Sequence, residues 1–463
     1  MPDRHVLILA AGKGTRMKSS RPKVLHLLAG LTLIEHVIRA SRPLKAATTN
    51  IVLGHQSQRV TDLLAHSGAM SCGVVYQKQQ LGTAHALLQA EPVLSNRSGT
   101  LIVLSGDAPL ISPSTLSMLV ETHEQSSAAA CVLSSIIERP YGYGRILRDK
   151  DKQFIGVVEE ADASTMQRKI CEVNSGVYTF DLASLFQTLK EIPEAGPKNE
   201  RYLPAVLQLY DQRKLTVKVT TTEDPHEIRG INSQSELAEV RAIVRQRKNE
   251  ELMASGVTIE DPATTYIDID VVVEADTIIH PGVFLEGRTH VGARCEIHSG
   301  SRIVNSTLGD DVTINNHSVI ADSTIDRKAR IGPFAHIRPG STIGESAHVG
   351  NFVELKKTTL GTGAKANHLS YIGDALVGSN SNIGAGTITC NYDGANKHQT
   401  TIEPEVFVGS GTELVAPVTI GHGAYIGAGS CITENVPANA LALARGRQVI
   451  KEARATKIRK NTE

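Results

Sequence analysis

A small aliphatic residue recurs at every sixth position through the C-terminal half of the chain, in most repeats with glycine directly after it. The beat passes through Val291-Gly292, Ile297 and Ile303, then Ile325, Ile331-Gly332, Ile337, Ile343-Gly344 and Val349-Gly350. It resumes at Val377-Gly378, Ile383-Gly384, Val408-Gly409, Leu414, Ile420-Gly421 and Ile426-Gly427. Each hexad supplies one flat strand face and one turn, three faces close a coil, and the aliphatic residue points inward onto the coil below. One coil alone cannot bury that residue, so the repeats must stack. The pattern predicts a parallel β-helix from about residue 255 to 440, with room for roughly ten coils of about eighteen residues. A β-sandwich would instead alternate with period two and turn every eight to twelve residues.

Residues 1 to about 230 carry a different pattern, in which short apolar runs alternate with helical periodicity. That is the signature of βαβ units around a mostly parallel sheet. Strands are expected at 6–10, 51–54, 74–77, 101–104, 131–134 and 177–180, and helices near 33–40, 84–90 and 114–124. Open sheets of this kind place ligands at the carboxyl ends of their strands. From 233 to 253, Leu237, Val240, Ile243 and Val244 recur among many charges, which predicts one long amphipathic helix ending at Gly256. The expected organisation is therefore an α/β domain over 1–231, a connecting helix over 232–253, a β-helix over 254–444 and a tail over 445–463. The tail holds seven basic and two acidic residues. It reads either as a solvated end or as a segment that folds over an anionic ligand.

Charge narrows the partners. The 463 residues hold 48 Lys plus Arg and 48 Asp plus Glu, so no overall positive field gathers nucleic acid. Small phosphorylated substrates remain open through local clusters. The six cysteines lie without C-x-x-C pairs, which argues against a disulfide framework and a structural zinc site. Reduced thiols in a cytoplasmic protein are the expectation. The apolar run at 6–9 is too short for a signal-peptide core, and no stretch approaches the roughly eighteen apolar residues of a membrane span.

Two constellations carry chemistry. In the first, the strand at 6–10 runs into Ala11-Gly12-Lys13-Gly14-Thr15-Arg16-Met17, followed by Lys23. Neither the Walker A spacing nor G-x-G-x-x-G is met, yet glycines let a backbone approach a nucleotide closely and present its N–H groups. The strand at 101–104 delivers Ser105-Gly106-Asp107, and a carboxylate there suits Mg²⁺, which takes one or two protein oxygens. Asn232, just before the connecting helix, is a candidate second donor. Taken singly, Asp107 is equally well placed to cap a helix. The second constellation lies where the hexads are expected to break, between Gly350 and Val408. Its polar residues are Glu354, Lys356, His368, Tyr371, Asn382 and the loop 389–394. His368 is the candidate base, because imidazole titrates near pH 6.5. Cys390 offers a rival covalent route through a thiolate.

Leu9-Ala10-Ala11-Gly12-x-Gly14-Thr15-Arg16-Met17 with Lys23, Gln80-Leu81-Gly82-Thr83-Ala84 and Gly106-Asp107 resemble sugar-nucleotide pyrophosphorylases. Arg338-Pro339-Gly340, 351–357, 368–373 and 382–387 are similar to hexapeptide acetyltransferases. Together they resemble, over nearly the whole chain, the bacterial bifunctional N-acetylglucosamine-1-phosphate uridylyltransferases/glucosamine-1-phosphate acetyltransferases. The resemblance implies an α/β fold: a Rossmann-like nucleotidyltransferase domain followed by a left-handed parallel β-helix of hexapeptide repeats. It implies Mg²⁺ on Asp107 and Asn232, with UTP and acetyl-CoA as co-substrates and glucosamine-1-phosphate and N-acetylglucosamine-1-phosphate as sugar substrates. It further implies a homotrimer with no membrane or nucleic-acid partner.

Carried over by position, Leu9, Ala10, Ala11, Gly12, Gln77, Gly82, Thr83, Ser105, Gly106 and Asp107 would form the nucleotide site. Gly144, Glu159, Asn174 and Asn232 would complete the sugar end, and Arg16 and Lys23 would neutralise phosphate charge. Ser105 departs from the family, whose members often carry tyrosine there. In the second half, Arg338 and Lys356 would grip the sugar phosphate, Tyr371 and Asn382 would contact the sugar, and Glu354 would orient His368. Ala385, Asn391, Tyr392, Ser410, Ala428 and Arg445 would line the acetyl-CoA site. Two other readings stay open at this stage: a nucleotidyltransferase whose β-helix only assembles, and a non-catalytic assembly subunit.

Overall fold

The alternating apolar run Val6–Leu9 sits in the strand Arg4–Ala10, near the middle of a nine-stranded sheet. Its Leu7 faces one core with Val52, Leu101 and Val103, and its Val6 and Ile8 face the other with Ile51, Leu53, Ile102 and Leu104. Both faces are thus buried, as a mainly parallel sheet requires. The order along the sheet is Val217–Thr222, Ala130–Ile136, Glu172–Asp181, Thr100–Ser105, Arg4–Ala10, Thr48–Leu53 and Gly73–Tyr76. Arg4–Ala10 pairs in parallel with Thr48–Leu53 and Thr100–Ser105, while Glu172–Asp181 runs antiparallel to both its neighbours. The register of that strand shifts between Asn174 and Tyr178, which turns Ser175 and Gly176 out of the ladder.

This computed structural model describes residues 2–66, 72–194 and 200–455. They form two compact units divided between Val244 and Arg245, inside the helix Gln234–Ala254. Helix starts follow their sequence signals. Thr32 and Glu35 form a capping box ahead of Leu33–Ser41, and Ser112 caps Pro113–Ser126 with proline in its first turn. Leu237, Val240 and Val244 pack with Met17, Leu28, Leu33, Leu110 and Ile231 in a small core of the first unit.

The second unit is the parallel β-helix, with the architecture of the left-handed class. Three parallel sheets of 11, 10 and 9 short strands run from Thr258–Ile259 to Leu441–Ala442, each taking every third strand of the chain. Ile297, Ile314, Ile331 and Val349 are stacked neighbours in one column, and Ile303, Ile320, Ile337 and Leu355 in another. All eight are fully buried.

One expectation is corrected here. Between Gly350 and Val408 the coils break once, at 391–399, and are otherwise regular. Leu355, Leu360, Ala366, Ile372, Val377, Ile383 and Thr389 continue the inward columns, each at most 3 % exposed. The beat was hidden because alanine and threonine fill two inward positions and some coils hold seventeen residues: Leu360 pairs with Val377, not with a residue eighteen on. The one long excursion in this stretch is 391–399, between the strands Ile388–Cys390 and Thr400–Ile402. The polar residues of the second constellation are therefore carried mostly on regular rungs. Residues 445–455 are exposed, and 456–463 of the expected basic tail lie outside the described residues. All six cysteines are free, and among the described residues no helix is long and apolar enough to cross a membrane.

Truncating one inward residue should loosen its neighbours above and below. Ile325→Ala, at a fully buried position, is expected to cost about 2–5 kcal/mol of local stability. Amide exchange of the rungs at 308 and 343 reads it directly, and unchanged protection there would contradict the stacked-column account.

Candidate functional sites

The carboxyl ends of Arg4–Ala10 and Thr100–Ser105 open onto a cleft of about 690 Å³. Leu9, Ala10, Ala11, Gly12, Lys23, Gln77, Gly82, Thr83, Ser105, Asp107, Glu159 and Asn174 line it. Gly106 lies beneath, its N–H donating to the Leu9 carbonyl at 2.9 Å. Gly144 and Asn232 sit at its margins, each against a lining residue. A Cβ on Gly144 would stand 3.4 Å from the Glu159 carboxylate, and the N–H of Ile231 donates to the Asp107 carbonyl at 2.9 Å. Arg16 is placed otherwise: it is exposed on the turn Thr15–Met17 and does not line the cleft.

Lys23 is the hub of the polar end. Its Nζ pairs with Asp107 Oδ2 and donates to Asn232 Oδ1 at 3.1 Å, while Ser105 Oγ donates to Asp107 Oδ1 at 2.6 Å. Two oxygen donors thus converge on one cationic position now held by the ammonium. That donor set, a carboxylate and an amide oxygen, suits a hard divalent cation. Gly14 makes the approach of Lys23 possible, since a Cβ there would lie 2.7 Å from the lysine Cβ and the residue has φ +61°. Asp107 is not a helix cap; the helix that follows starts at Pro113 and is capped by Ser112.

At the far wall Gln77 is buried, and its Nε2 donates to the Gly82 carbonyl at 3.2 Å, which fixes the turn. Gly82 has φ +94°, and a Cβ would lie 2.4 Å from the Arg201 carbonyl. Asn174 donates to the Tyr178 hydroxyl at 2.7 Å, and burial pushes the phenol of Tyr178 far up. Burial, with Asp162 adding to it, also raises the Glu159 carboxyl. Sequence reasoning assigned no role to Gln80, Glu160, Tyr178 and Tyr202, which line the same cleft. For Gln80 the signal was present, inside the Gln80-Leu81-Gly82-Thr83 run. Glu160 ion-pairs with the fully buried Arg145 at 2.7 Å, a partnership visible only in three dimensions.

In the second unit the candidate residues gather around one corner of the coil. Asn351 and His368 face each other on successive rungs, and so do Glu354 and Tyr371. The His368 Nδ1 donates to Asn351 Oδ1 at 2.6 Å. Because that oxygen can only accept, Nδ1 carries a proton, and the neutral ring in this tautomer has its lone pair on Nε2. The expected orienting role of Glu354 is corrected: its carboxylate accepts from Arg338 Nη1 at 2.8 Å instead. The register explains the exchange, since Asn351 is the residue directly beneath His368, whereas Glu354 lies under Tyr371 on the next face. On that face, Lys356 Nζ donates to Asp374 at 3.3 Å, and Asn391 also donates to Asp374. Lys397 and then Asp374 raise Lys356, whereas the neighbouring Lys356 ammonium lowers Lys397. The Tyr371 hydroxyl stands over Gly373, where a Cβ would lie 2.5 Å from it and 2.9 Å from the Asn391 amide.

Above the corner, Ala385, Ser410 and Ala428 occupy one turn on three successive rungs, following the aligned Ile383, Val408 and Ile426. The Gly386 N–H donates to the His368 carbonyl at 3.3 Å, which sets this column of small residues directly over the histidine. Arg445 donates to the Ala428 carbonyl at 2.8 Å. Tyr392 is exposed on the 391–399 excursion. Asn382 lies in the same sheet as His368 but at the Lys365 end of the rung. Cys390 is a weak thiolate source: burial, then Glu413 and Cys431, push its thiol up. Asn351, Asp374 and Lys397 are functional candidates that sequence reasoning left unassigned.

The chain matches the MobA-like NTP transferase domain over residues 6–173 and the GMPPB C-terminal domain over 267–345. It is 48% identical to the bifunctional protein GlmU of Heliobacterium modesticaldum, with 98% of each chain covered. To the proteins of the same description from Shouchella clausii and Pelobacter propionicus it is 45% and 43% identical, over 98% and 100% of each chain.

The raised Glu159 carboxyl fixes the sign of a pH effect. Its protonated form is favoured in the fold, so the residue is harmless below the ordinary carboxylate range and costs stability as pH rises through its raised folded value. Glu159→Gln should therefore melt higher than the parent at neutral pH, with the gap closing as pH falls toward about 4. A gap that widens on acidification would show that the carboxylate is stabilised.

Proposed function

The chain belongs to the family of bifunctional GlmU proteins, and we propose that the two sites described above divide its two reactions between them. It is a bifunctional transferase of UDP-N-acetylglucosamine synthesis. Acetyl-CoA first acetylates the amine of glucosamine-1-phosphate. The N-acetylglucosamine-1-phosphate so formed then attacks the α-phosphorus of UTP, and pyrophosphate leaves.

Uridylyl transfer is assigned to the cleft of the first unit. The uracil end lies along Leu9 to Gly12, Gln77, Gly82 and Thr83, and the sugar end along Gly144, Glu159 and Asn174. Ser105 and Gly106 form the floor between them. The attacking phosphate is already ionised near neutral pH, so the reaction needs charge neutralisation more than a base. Lys23 releases Asp107 to reach the phosphates, and Ser105 keeps the freed carboxylate in place. Mg²⁺, held by Asp107 and Asn232, supplies Lewis-acid neutralisation of the phosphate oxygens when bound. Support for this metal comes from the two oxygens that already converge on one cation, the Lys23 ammonium. Arg16 enters as an exposed charge on the adjoining turn.

Acetyl transfer is assigned to the corner of the β-helix. Arg338 and Lys356 bind the sugar phosphate, with Tyr371 and Asn382 on the sugar. Ala385, Ser410 and Ala428 leave their backbone open to the acetyl-CoA chain, flanked by Asn391, Tyr392 and Arg445. The amine nitrogen attacks the thioester carbonyl while His368 Nε2 takes its proton. The C–S bond then breaks, and CoA leaves as a thiol after receiving that proton. Glu354 acts by positioning Arg338. The observation that carries this assignment is the Asn351–His368 hydrogen bond, which holds the imidazole in the one tautomer able to accept at Nε2.

The assembly we propose is a cytoplasmic homotrimer acting on these small molecules. An exposed apolar column of Phe407, Tyr425 and Leu441 on one face of the β-helix supports a covered surface there. Sedimentation equilibrium at micromolar concentration tests it.

The decisive experiment follows CoA thiol release and pyrophosphate on one preparation. His368→Ala should lose acetyl transfer by roughly 10²–10⁴ with uridylyl transfer intact. Lys23→Ala should do the reverse, losing at least about a hundredfold, or about 2.7 kcal/mol. Equal damage to both reactions in either variant would sink the division. Asn351→Ala should lower acetyl transfer and shift its pH profile, an effect that a purely structural asparagine would not produce.

A further inference from the structure

We propose that the first rungs of the β-helix carry a binding site for a borderline-soft divalent ion such as Zn²⁺, formed by His280, Glu296 and His298. The three side chains stand on two neighbouring rungs at one edge of the 11-stranded sheet. Ile278–Ile279 pairs in parallel with Glu296–Ile297, so His280 and His298 fall at equivalent positions directly after the inward isoleucines. Their rings stack with centroids 4.5 Å apart and planes 16° from parallel. Both Nε2 atoms lie near one carboxylate oxygen, Glu296 Oε1, which is 3.1 Å from His280 and 3.5 Å from His298, and chelation requires the rings to turn from this near-parallel stack so that their in-plane lone pairs converge. The three ligand atoms lie within 4.8 Å of one another. Two ligands each about 2.0–2.1 Å from a tetrahedral zinc stand about 3.3 Å apart. The observed separations bracket that spacing.

The carboxylates around His280 leave room for a cation at Nε2. His280 Nδ1 faces a second carboxylate, Glu260 on the preceding rung, at 3.0 Å. A neutral imidazole has one N–H. With that N–H on Glu260, the Nε2 position facing Glu296 takes either a second proton or a divalent cation, and the cation alone also draws in His298. Glu260 then plays the part of the outer carboxylate that orients a metal-bound histidine and raises its basicity. Two imidazoles and one carboxylate select zinc-like ions over Mg²⁺, which prefers all-oxygen ligands. His280 and His298 are 20% and 26% exposed and Glu296 is 44% exposed, so a fourth position is open to water. The column ends at the next rung, where Asn315 donates its amide to the Ile331 and Gly332 carbonyls. Because the ligands come from separate rungs, the ion would tie the start of the solenoid together.

The test uses the untagged full chain, stripped with chelator and kept in excess Mg²⁺ to mask oxygen-only sites. Competition with a chromophoric zinc chelator should reveal one equivalent of Zn²⁺ bound by the parent and lost in His280→Ala and His298→Ala. Glu260→Gln should keep the equivalent with an affinity about 10–100-fold weaker. Zinc should also raise the melting temperature of the parent and not of either histidine variant. Retention of the equivalent in both histidine variants, or no binding by the parent, overturns the proposal. Uridylyl transfer reports folding of each variant. Should a variant fail to fold, zinc-edge X-ray absorption of the parent decides: two imidazole nitrogens with oxygen neighbours uphold the site, and an all-oxygen or sulfur shell refutes it.

Discussion

Stacking of the inward aliphatic residues is the constraint from which the second unit derives everything else. A rung cannot bury its three inward side chains without the rungs above and below, so each column of Ile, Leu and Val fixes the register of its neighbours. Once register is fixed on the inside, it is fixed on the outside as well. Residues seventeen or eighteen apart in sequence become nearest neighbours in space, and outward side chains are sorted into columns. Asn351 beneath His368, Glu354 beneath Tyr371 and His280 beneath His298 are consequences of that sorting. A polar pair in this fold is built by choosing two residues one coil apart.

The first unit solves the placement problem differently. Its parallel strands end together, and the turns that follow them deliver groups to one edge. Lys23 is the test of that geometry, because it comes from a separate turn, 11 residues beyond Gly12, yet meets Asp107 and Asn232. Only a glycine at position 14 lets its stem lie close enough. The same position is thus occupied by an ammonium in the free protein and is suited to a metal when nucleotide brings its own negative charge. Under the proposed assignment, competition between two cations for one pair of oxygens would make metal and nucleotide binding interdependent.

Legibility in the sequence followed the strength of each physical signal. The hexad beat foretold the β-helix because burial acts on every sixth residue without exception for long stretches. The beat is obscured where Ala366 and Thr389 fill inward positions and where coils shorten to seventeen residues, so the interruption expected over 350–408 is confined in the fold to 391–399. Partnerships were the hidden layer. Nothing in one dimension says that Glu354 will meet Arg338 while Asn351 meets His368, because the choice depends on which of three faces each residue occupies. Counting coils of eighteen residues puts Gly350 beneath the histidine; the real seventeen-residue register puts Asn351 there.

That register also explains why an amide rather than a carboxylate suits His368. A carboxylate at Nδ1 would stabilise the imidazolium and make the base stronger, but under the proposed assignment it would add negative charge beside a site for a sugar phosphate and the phosphates of CoA. An asparagine oxygen fixes the tautomer without that charge. The nearby acids are already matched, Glu354 with Arg338 and Asp374 with Lys356 and Asn391. Each of those cations can turn toward an incoming phosphate, as the carboxylate it leaves keeps a position on the rung. The corner therefore holds the charges of Arg338 and Lys356 on short tethers, beside an imidazole whose ring is fixed by Asn351.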